Sequence, residues 1–225
     1  LQHVAFEDAA NIAAWAKARG HRMHTTRLYA GERPPAAADF DWLLVMGGPM
    51  GVHDVEAHAW LGMEKAFLRE ALARGRKILG VCLGAQLLAE SLGGMVTRNR
   101  EKEIGWYPVR LDEAAARHAL FAGTPPVFQA FHWHQDTFSI PPRAIAVGAT
   151  AACARQGFLF EDRVLGMQFH LEYSEAGIEA MLRHCGHEIE EAGHVQESEQ
   201  IRAQHERVEE TTRLLFRLLD NFAAL

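Results

Sequence analysis

Apolar positions along this chain follow two rhythms. Residues 42–46, Trp42-Leu43-Leu44-Val45-Met46, form an unbroken apolar run, and Lys77-Ile78-Leu79-Gly80-Val81 forms a second. Runs of this length without alternation predict strands buried on both faces of a parallel sheet. Elsewhere the spacing is helical. Ile12, Trp15 and Ala16 share one face of a helix predicted over 8–19 and closed by Gly20, and Trp60, Met63, Phe67, Leu68, Ala71 and Leu72 predict another that ends at Gly75. Residues 2–6 read as a short first strand, and 21–29 as extended chain before the Pro34-Pro35 loop. Such β-α-β-α alternation predicts an α/β fold with a doubly wound, mostly parallel sheet, helices on both faces and ligands at the carboxyl ends of the strands.

From residue 95 to 170 the texture changes to short β-rich pieces at 104–111, 127–133, 144–149, 158–160 and 164–170, punctuated by Pro125-Pro126 and Pro141-Pro142. They are expected to extend the sheet with antiparallel strands. A helix over 174–184 follows, with Ser174 as its cap. Residues 188–200 are polar and acidic and read as a solvated face or linker. Ile201, Val208, Leu215 and Phe222 then recur every seven residues, with Leu218 and Leu219 beside them. This predicts a C-terminal helix with one apolar seam, packed back on the domain in preference to meeting a second copy in a homodimer. The organisation expected is one domain over 1–185 and a helical extension, 186–225, on the same domain.

With 225 residues the chain can bury a substantial core. Its net charge of −6 is spread among interspersed acids and bases, so neither nucleic acid nor an anionic membrane is an expected partner. Cys82, Cys153 and Cys185 are odd in number and show no paired spacing. With no secretory segment read at the start, they fit a reducing cytoplasm. The ligands this leaves are small molecules and proteins.

The chemistry concentrates where the second apolar run stops at Cys82. Gly80 and Gly84 flank the thiol, and helix-forming sequence follows at once, which is the pattern of a strand-to-helix elbow that holds up a nucleophile. Unpaired N–H groups at the first turn of such a helix favour a thiolate. A base is supplied by residues 164–172, a buried strand ending in His170 with Glu172 two residues on. Cys82 and His170 are both at strand ends and are expected to meet at one edge of the sheet, with Glu172 fixing the imidazole. The backbone N–H groups of Gly48 and Leu83 begin turns just past strand ends and are the natural oxyanion donors. Cys153 and Cys185 read as inert buried thiols, and His184 and His187 as surface histidines. His132 and His134 alternate along a strand, one structural and the other near the pocket. No metal site and no cofactor are expected. Residues 53–58 read as a solvated loop rimming the site, and no nucleotide-binding loop is present to run an ATP-dependent reaction.

Residues 80–86 (Gly-Val-Cys-Leu-Gly-Ala-Gln), 47–51 (Gly-Gly-Pro-Met-Gly) and 168–172 (Gln-Phe-His-Leu-Glu) together resemble the three signatures of the triad-type, class I glutamine amidotransferases. Glu103-Ile104-Gly105-Trp106 and residues 133–138 sharpen the likeness toward the stand-alone branch similar to the amidotransferase domain of GMP synthase. The resemblance implies a flavodoxin-like fold and attack of Cys82 on the side-chain amide of glutamine, or of another γ-glutamyl compound. Ammonia would then pass to a separate synthetase. It also implies substrate contacts from Gln86, Trp133, His134 and Gln135. Two positions depart from the family pattern. Leu171 stands where proline is usual, which loosens the expected aim of Glu172, and Gln135 stands where glycine is frequent. The alternatives are a γ-glutamyl peptidase, a redox or glyoxalase protein related to DJ-1, and a catalytically silent, partner-binding subunit. Gln86 and residues 169–172 argue against the DJ-1 relative.

Overall fold

The two apolar runs become adjacent parallel strands, and the segment ending in His170 lies beside the second. The computed structural model covers residues 1–225. Strand β1 (Trp42–Val45) pairs in parallel with β2 (Lys77–Val81), and β2 with β8 (Val164–Met167). The sheet continues antiparallel through β7 (Gly157–Phe160) to β5 (Ile145–Ala146). Its order is β1-β2-β8-β7-β5. Helices α2 (Ala59–Ala73) and α3 (Leu83–Ser91) cover one face, and α1 (Ala10–Ala18) and α7 (Arg207–Ala224) the other. The doubly wound, two-faced arrangement expected from the sequence is therefore present.

The antiparallel part is not a single extension. Strands β3 (Val96–Leu111) and β4 (Val127–Phe138) form a long hairpin-like pair that, with β6 (Gly148–Ala149), makes a separate three-stranded sheet. The short helix α4 (Glu113–Ala116) lies between β3 and β4. The chain changes sheets at Val147, between β5 and β6; its N–H bonds Gly157 and its carbonyl receives the Asp112 N–H. The two sheets meet again at a pair of hydrogen bonds between Phe131 and His170, 2.8 and 3.1 Å long.

Several segments differ from their sequence reading. Residues 2–6 form no strand; Gln2 makes one parallel bridge to Arg27, and Leu1 accepts the Met46 N–H beside β1. On α2 the inward positions include Leu61 and Glu64, whereas Met63 is exposed, because Glu64 finds a buried partner in His3. The acidic tract is not a detached linker: Val195 bridges Ile104 of β3, and the Gln196 side chain bonds both backbone groups of Trp106. Helix α5 (Glu175–Cys185) begins, as expected, at Ser174, whose hydroxyl accepts the Gly177 N–H at 3.1 Å.

The C-terminal seam is split between α6 (Ser198–Arg202) and α7. Ile201 enters the small core under α5, and Leu215, Leu219 and Phe222 are fully buried in the main core. Burial of each such side chain contributes about 1.5–3 kcal/mol. The seam is thus consumed within the chain and is not the dimer surface considered from sequence. No helix is long and apolar enough to cross a membrane.

Candidate active site

Cys82 occupies the single residue between β2 and α3 with φ 51° and ψ −110°. A non-glycine residue held there costs about 1–3 kcal/mol and persists only where its surroundings enforce it. They do so through backbone bonds and contact. The Cys82 N–H donates to Met167 O at 2.8 Å, and its carbonyl receives the Gln86 N–H at 3.1 Å. A Cβ on Gly84 would come within 2.1 Å of Val45 O, and one on Gly80 within 2.6 Å of Gly84 O. The flanking glycines therefore let α3 lie directly on β1 and β2, which holds the thiol at the sheet edge.

His170 lies just past β8, at the same edge. Its Nδ1 is 2.6 Å from Oε1 of Glu172, and the other oxygen of that carboxylate accepts the Leu171 N–H at 3.1 Å. Proline at 171 would lack this donor, so the leucine steadies Glu172 where a looser aim was expected. His170 and Glu172 are almost fully buried. Burial opposes charge on the imidazole, but the Glu172 carboxylate and a hydrogen bond to Cys82 outweigh it and hold His170 well above its ordinary value. The three residues thus stand as thiol, imidazole and carboxylate in sequence.

A cavity of about 480 Å³ opens over Cys82 and His170. Gly48, Gln86, Trp133, His134 and Gln135 all line it. The Gly48 N–H has no backbone acceptor, and that of Leu83, the first residue of α3, has none inside the helix. Gln86 donates to Gln168, and Gln168 in turn donates to Cys82 Sγ at 3.6 Å. The Trp133 carbonyl lies 3.8 Å from Sγ. The His134 ring is turned away from the ligand space: Nε2 is 3.1 Å from Glu103 and Nδ1 3.0 Å from the Asp136 carbonyl. What His134 offers the cavity is therefore its backbone. Gln135 receives a hydrogen bond from Arg98.

Behind this wall, Glu103, His132 and His134 bring their ligating atoms within 4.8 Å of one another. One oxygen of Glu103 receives Gln156 Nε2 at 2.6 Å and faces both imidazoles. Burial works against its charge, yet the two rings hold it down to about 2, while burial pushes His132 down to about 4. The arrangement is a carboxylate neutralised by convergent donors, and it anchors β4 on both sides of Trp133.

Several cavity residues carried no role in the sequence reading. Glu7 is buried, bonded to the Tyr173 hydroxyl at 3.3 Å, and its carboxylate sits where a Gly47 side chain would be, 2.4 Å from that Cβ position. Burial, with help from Glu172, raises it to about 7 despite His170, His3 and Tyr173. A carboxylate at the end of the apolar Val4-Ala5-Phe6 was the signal available for it. Arg98 and Lys102 come from the irregular stretch of β3 between Arg98 and Glu103, and Glu188 from the acidic tract; the Trp133 indole donates to Glu188 at 3.3 Å. Cys185 also faces the cavity, but burial and then Glu188 push its thiol up to about 12, so it stays protonated. Cys153 is likewise raised by burial and lies against Thr137 and Arg155. His184 stacks on Phe6, and Asp54 of the rim loop accepts the Gly51 N–H at 2.7 Å.

Comparison with known proteins agrees with this architecture. The family model for class I glutamine amidotransferases matches residues 9–189. The glutamine amidotransferase-like protein YfeJ of Salmonella typhimurium is 34% identical over 194 residues, which are 84% of this chain and 81% of that protein. A glutamine-hydrolysing GMP synthase component from Sulfurisphaera tokodaii, itself a separate polypeptide, is 32% identical over 145 residues, 63% of this chain and 73% of that one. Against the GMP synthase of Thermomicrobium roseum the match is 31% over 143 residues, 62% of this chain and only 25% of that enzyme. A glutamine amidotransferase from Thermotoga maritima superposes with a TM-score of 0.88 at 28% identity, covering 98% of this chain and 95% of that one. One from Methylobacillus flagellatus gives 0.91 at 28% identity over 99% and 92%. With its parallel strands delivering cysteine and histidine to one edge of a flavodoxin-like sheet, this chain belongs to the class I glutamine amidotransferases.

Proposed function

We propose that the chain hydrolyses the side-chain amide of glutamine through a thioester on Cys82 and releases ammonia for transfer to an acceptor. The observation that carries this reading is the meeting of Cys82, His170 and Glu172 at one strand edge, with Glu172 2.6 Å from the imidazole nitrogen remote from the thiol. The Cys82 sulfur attacks the amide carbon, and the oxyanion formed is held by the N–H groups of Gly48 and Leu83. The C–N bond breaks as His170 gives its proton to the leaving nitrogen. Water then loses a proton to His170, attacks the thioester and releases glutamate and the thiol. Gln86, Trp133, the His134 backbone and Gln135 line the substrate space, and no step needs a metal or cofactor.

The relatives named as GMP synthase suggest a separate, ATP-using synthetase as the consumer of ammonia. The chain covers only about a quarter of the full-length enzyme, so its own acceptor stands as part of the proposal. A glutaminase assay tests the reading: wild type should form glutamate, and Cys82→Ser should abolish it. Undiminished activity in that variant would sink it.

The cavity favours a second reading. Arg98 and Lys102 on one side and Asp54 and Glu188 on the other line space open enough for a γ-glutamyl amide of a larger amine. A substrate panel decides between the two, since a γ-glutamyl hydrolase prefers at least one such amide to glutamine.

A further inference from the structure

His3 and Glu64 lie outside the reacting groups, yet they grip the turn that carries one of the proposed oxyanion donors. Nδ1 of His3 is 2.9 Å from the carbonyl oxygen of Gly47, and Nε2 is 2.9 Å from Oε1 of Glu64. Neither side chain is exposed, and Trp60 stacks on the imidazole with ring centroids 5.3 Å apart and planes 14° from parallel. Carbonyl and carboxylate both accept hydrogen bonds, so with a proton on each nitrogen the ring can satisfy both. Imidazolium and carboxylate then neutralise each other in the core.

The consequence for the active site follows from peptide geometry. The carbonyl of Gly47 and the N–H of Gly48 belong to one peptide, which is trans and therefore points them in opposite directions. Between two glycines such a peptide has little intrinsic preference for either orientation. His3 supplies the preference, because it draws the carbonyl to its own side. That leaves the N–H on the opposite side, and Gly48 lines the cavity together with Cys82. Close packing confines the turn further: a Cβ on Gly48 would come within 3.1 Å of His3 Cβ and 3.2 Å of the Leu83 side chain.

We propose that His3, braced by Glu64, is a positioning residue that sets the Gly47–Gly48 peptide so that the Gly48 amide faces the developing oxyanion. This rests on the reading of Cys82 as the nucleophile toward a γ-glutamyl amide. The test compares the full chain with His3→Leu and His3→Asn, the latter placing an amide nitrogen near the position of Nδ1. Loss of one oxyanion donor lowers kcat by about 10²–10³. His3→Leu should show a fall of that order with KM nearly unchanged, and with an unaltered rate of Cys82 alkylation by iodoacetamide, which needs the thiol and His170 but no oxyanion donor. His3→Asn should recover most of the loss. An active wild type whose kcat is untouched in His3→Leu overturns the positioning role alone, as does a fall that His3→Asn fails to relieve or that alkylation matches. A wild type inactive on glutamine and γ-glutamyl amides overturns the catalytic reading and this inference together. Should His3→Leu fail to fold, a crystal structure of wild-type protein alkylated at Cys82 by a glutamine-derived chloroketone decides the matter. The Gly48 N–H should meet the adduct oxygen while Gly47 O stays on His3; a flipped peptide overturns the inference.

Discussion

Leu171 donates its backbone N–H to the carboxylate of Glu172 at 3.1 Å, and the same carboxylate holds His170 with its other oxygen at 2.6 Å. The carboxylate is therefore oriented from two sides. Glu172→Gln removes the charge that sustains the imidazolium and should lower kcat by about 10²-fold or more, within the range general acid–base catalysis supplies. Because Glu172 raises the His170 pKa, the limb of the pH–rate profile that requires protonated His170 should move to lower pH in the variant. Steady-state kinetics from pH 5 to 9 measure both effects, and an unshifted limb would contradict the assigned pair. Leu171→Pro, which deletes one bond to a charged acceptor, should produce a smaller loss.

Glu7 makes stability depend on pH. Its carboxyl is raised from 4.5 to about 7 in the folded chain, chiefly by burial. Between those values the folded state keeps a proton that the unfolded state has released, so its contribution is full below about pH 4.5 and is lost as pH rises through about 7. The shift corresponds to about 3 kcal/mol. Glu7→Gln should therefore gain stability relative to wild type by roughly that amount between pH 4.5 and 8. Urea unfolding at several pH values checks it, and a pH-independent difference would refute the assignment.

Two glycines should respond oppositely to alanine. At Gly84 the new methyl would lie 2.1 Å from Val45 O, a backbone atom that cannot step aside. Gly84→Ala should cost about 3 kcal/mol or more and displace Cys82. Gly62, exposed on α2, has nothing within 4 Å of its Cβ position. There the substitution should stabilise by up to about 1 kcal/mol through helix propensity. Thermal unfolding of the two variants provides the comparison.

The three cysteines should differ sharply toward an alkylating agent. Cys185 is held protonated near 12 and Cys153 is raised and buried, whereas Cys82 bonds His170. Brief iodoacetamide treatment at pH 7 should add one group, at Cys82, and remove activity in step. Peptide mass spectrometry locates the adduct, and modification of Cys185 first would count against the picture.

The parallel core was legible in the sequence because two apolar runs and two helical periodicities are local signals that the fold leaves intact. Cys82, His170 and Glu172 were equally readable, since each stands at the end of such a run. The separate second sheet was not. Its strands β3 and β4 carry mixed polar and apolar residues, and only pairing across sixteen or more intervening positions distinguishes a new sheet from an extension of the old. Glu64 escaped for a related reason: a charged residue on a buried helical face is explained only by His3, sixty-one residues earlier. The acidic tract read as solvated because its contacts, Val195 on Ile104 and Glu188 on Trp133, are likewise long-range.

The paired hydrogen bonds between Phe131 and His170 give the general base two hosts. Cys82 moves with the larger sheet alone, whereas His170 is stitched to both. A load on the outer strands of the smaller sheet would travel along β4 to the imidazole and change its distance from a stationary sulfur. The junction is thus a mechanical input to the reacting pair, and the smaller sheet is the lever arm by which a docked protein could tune it.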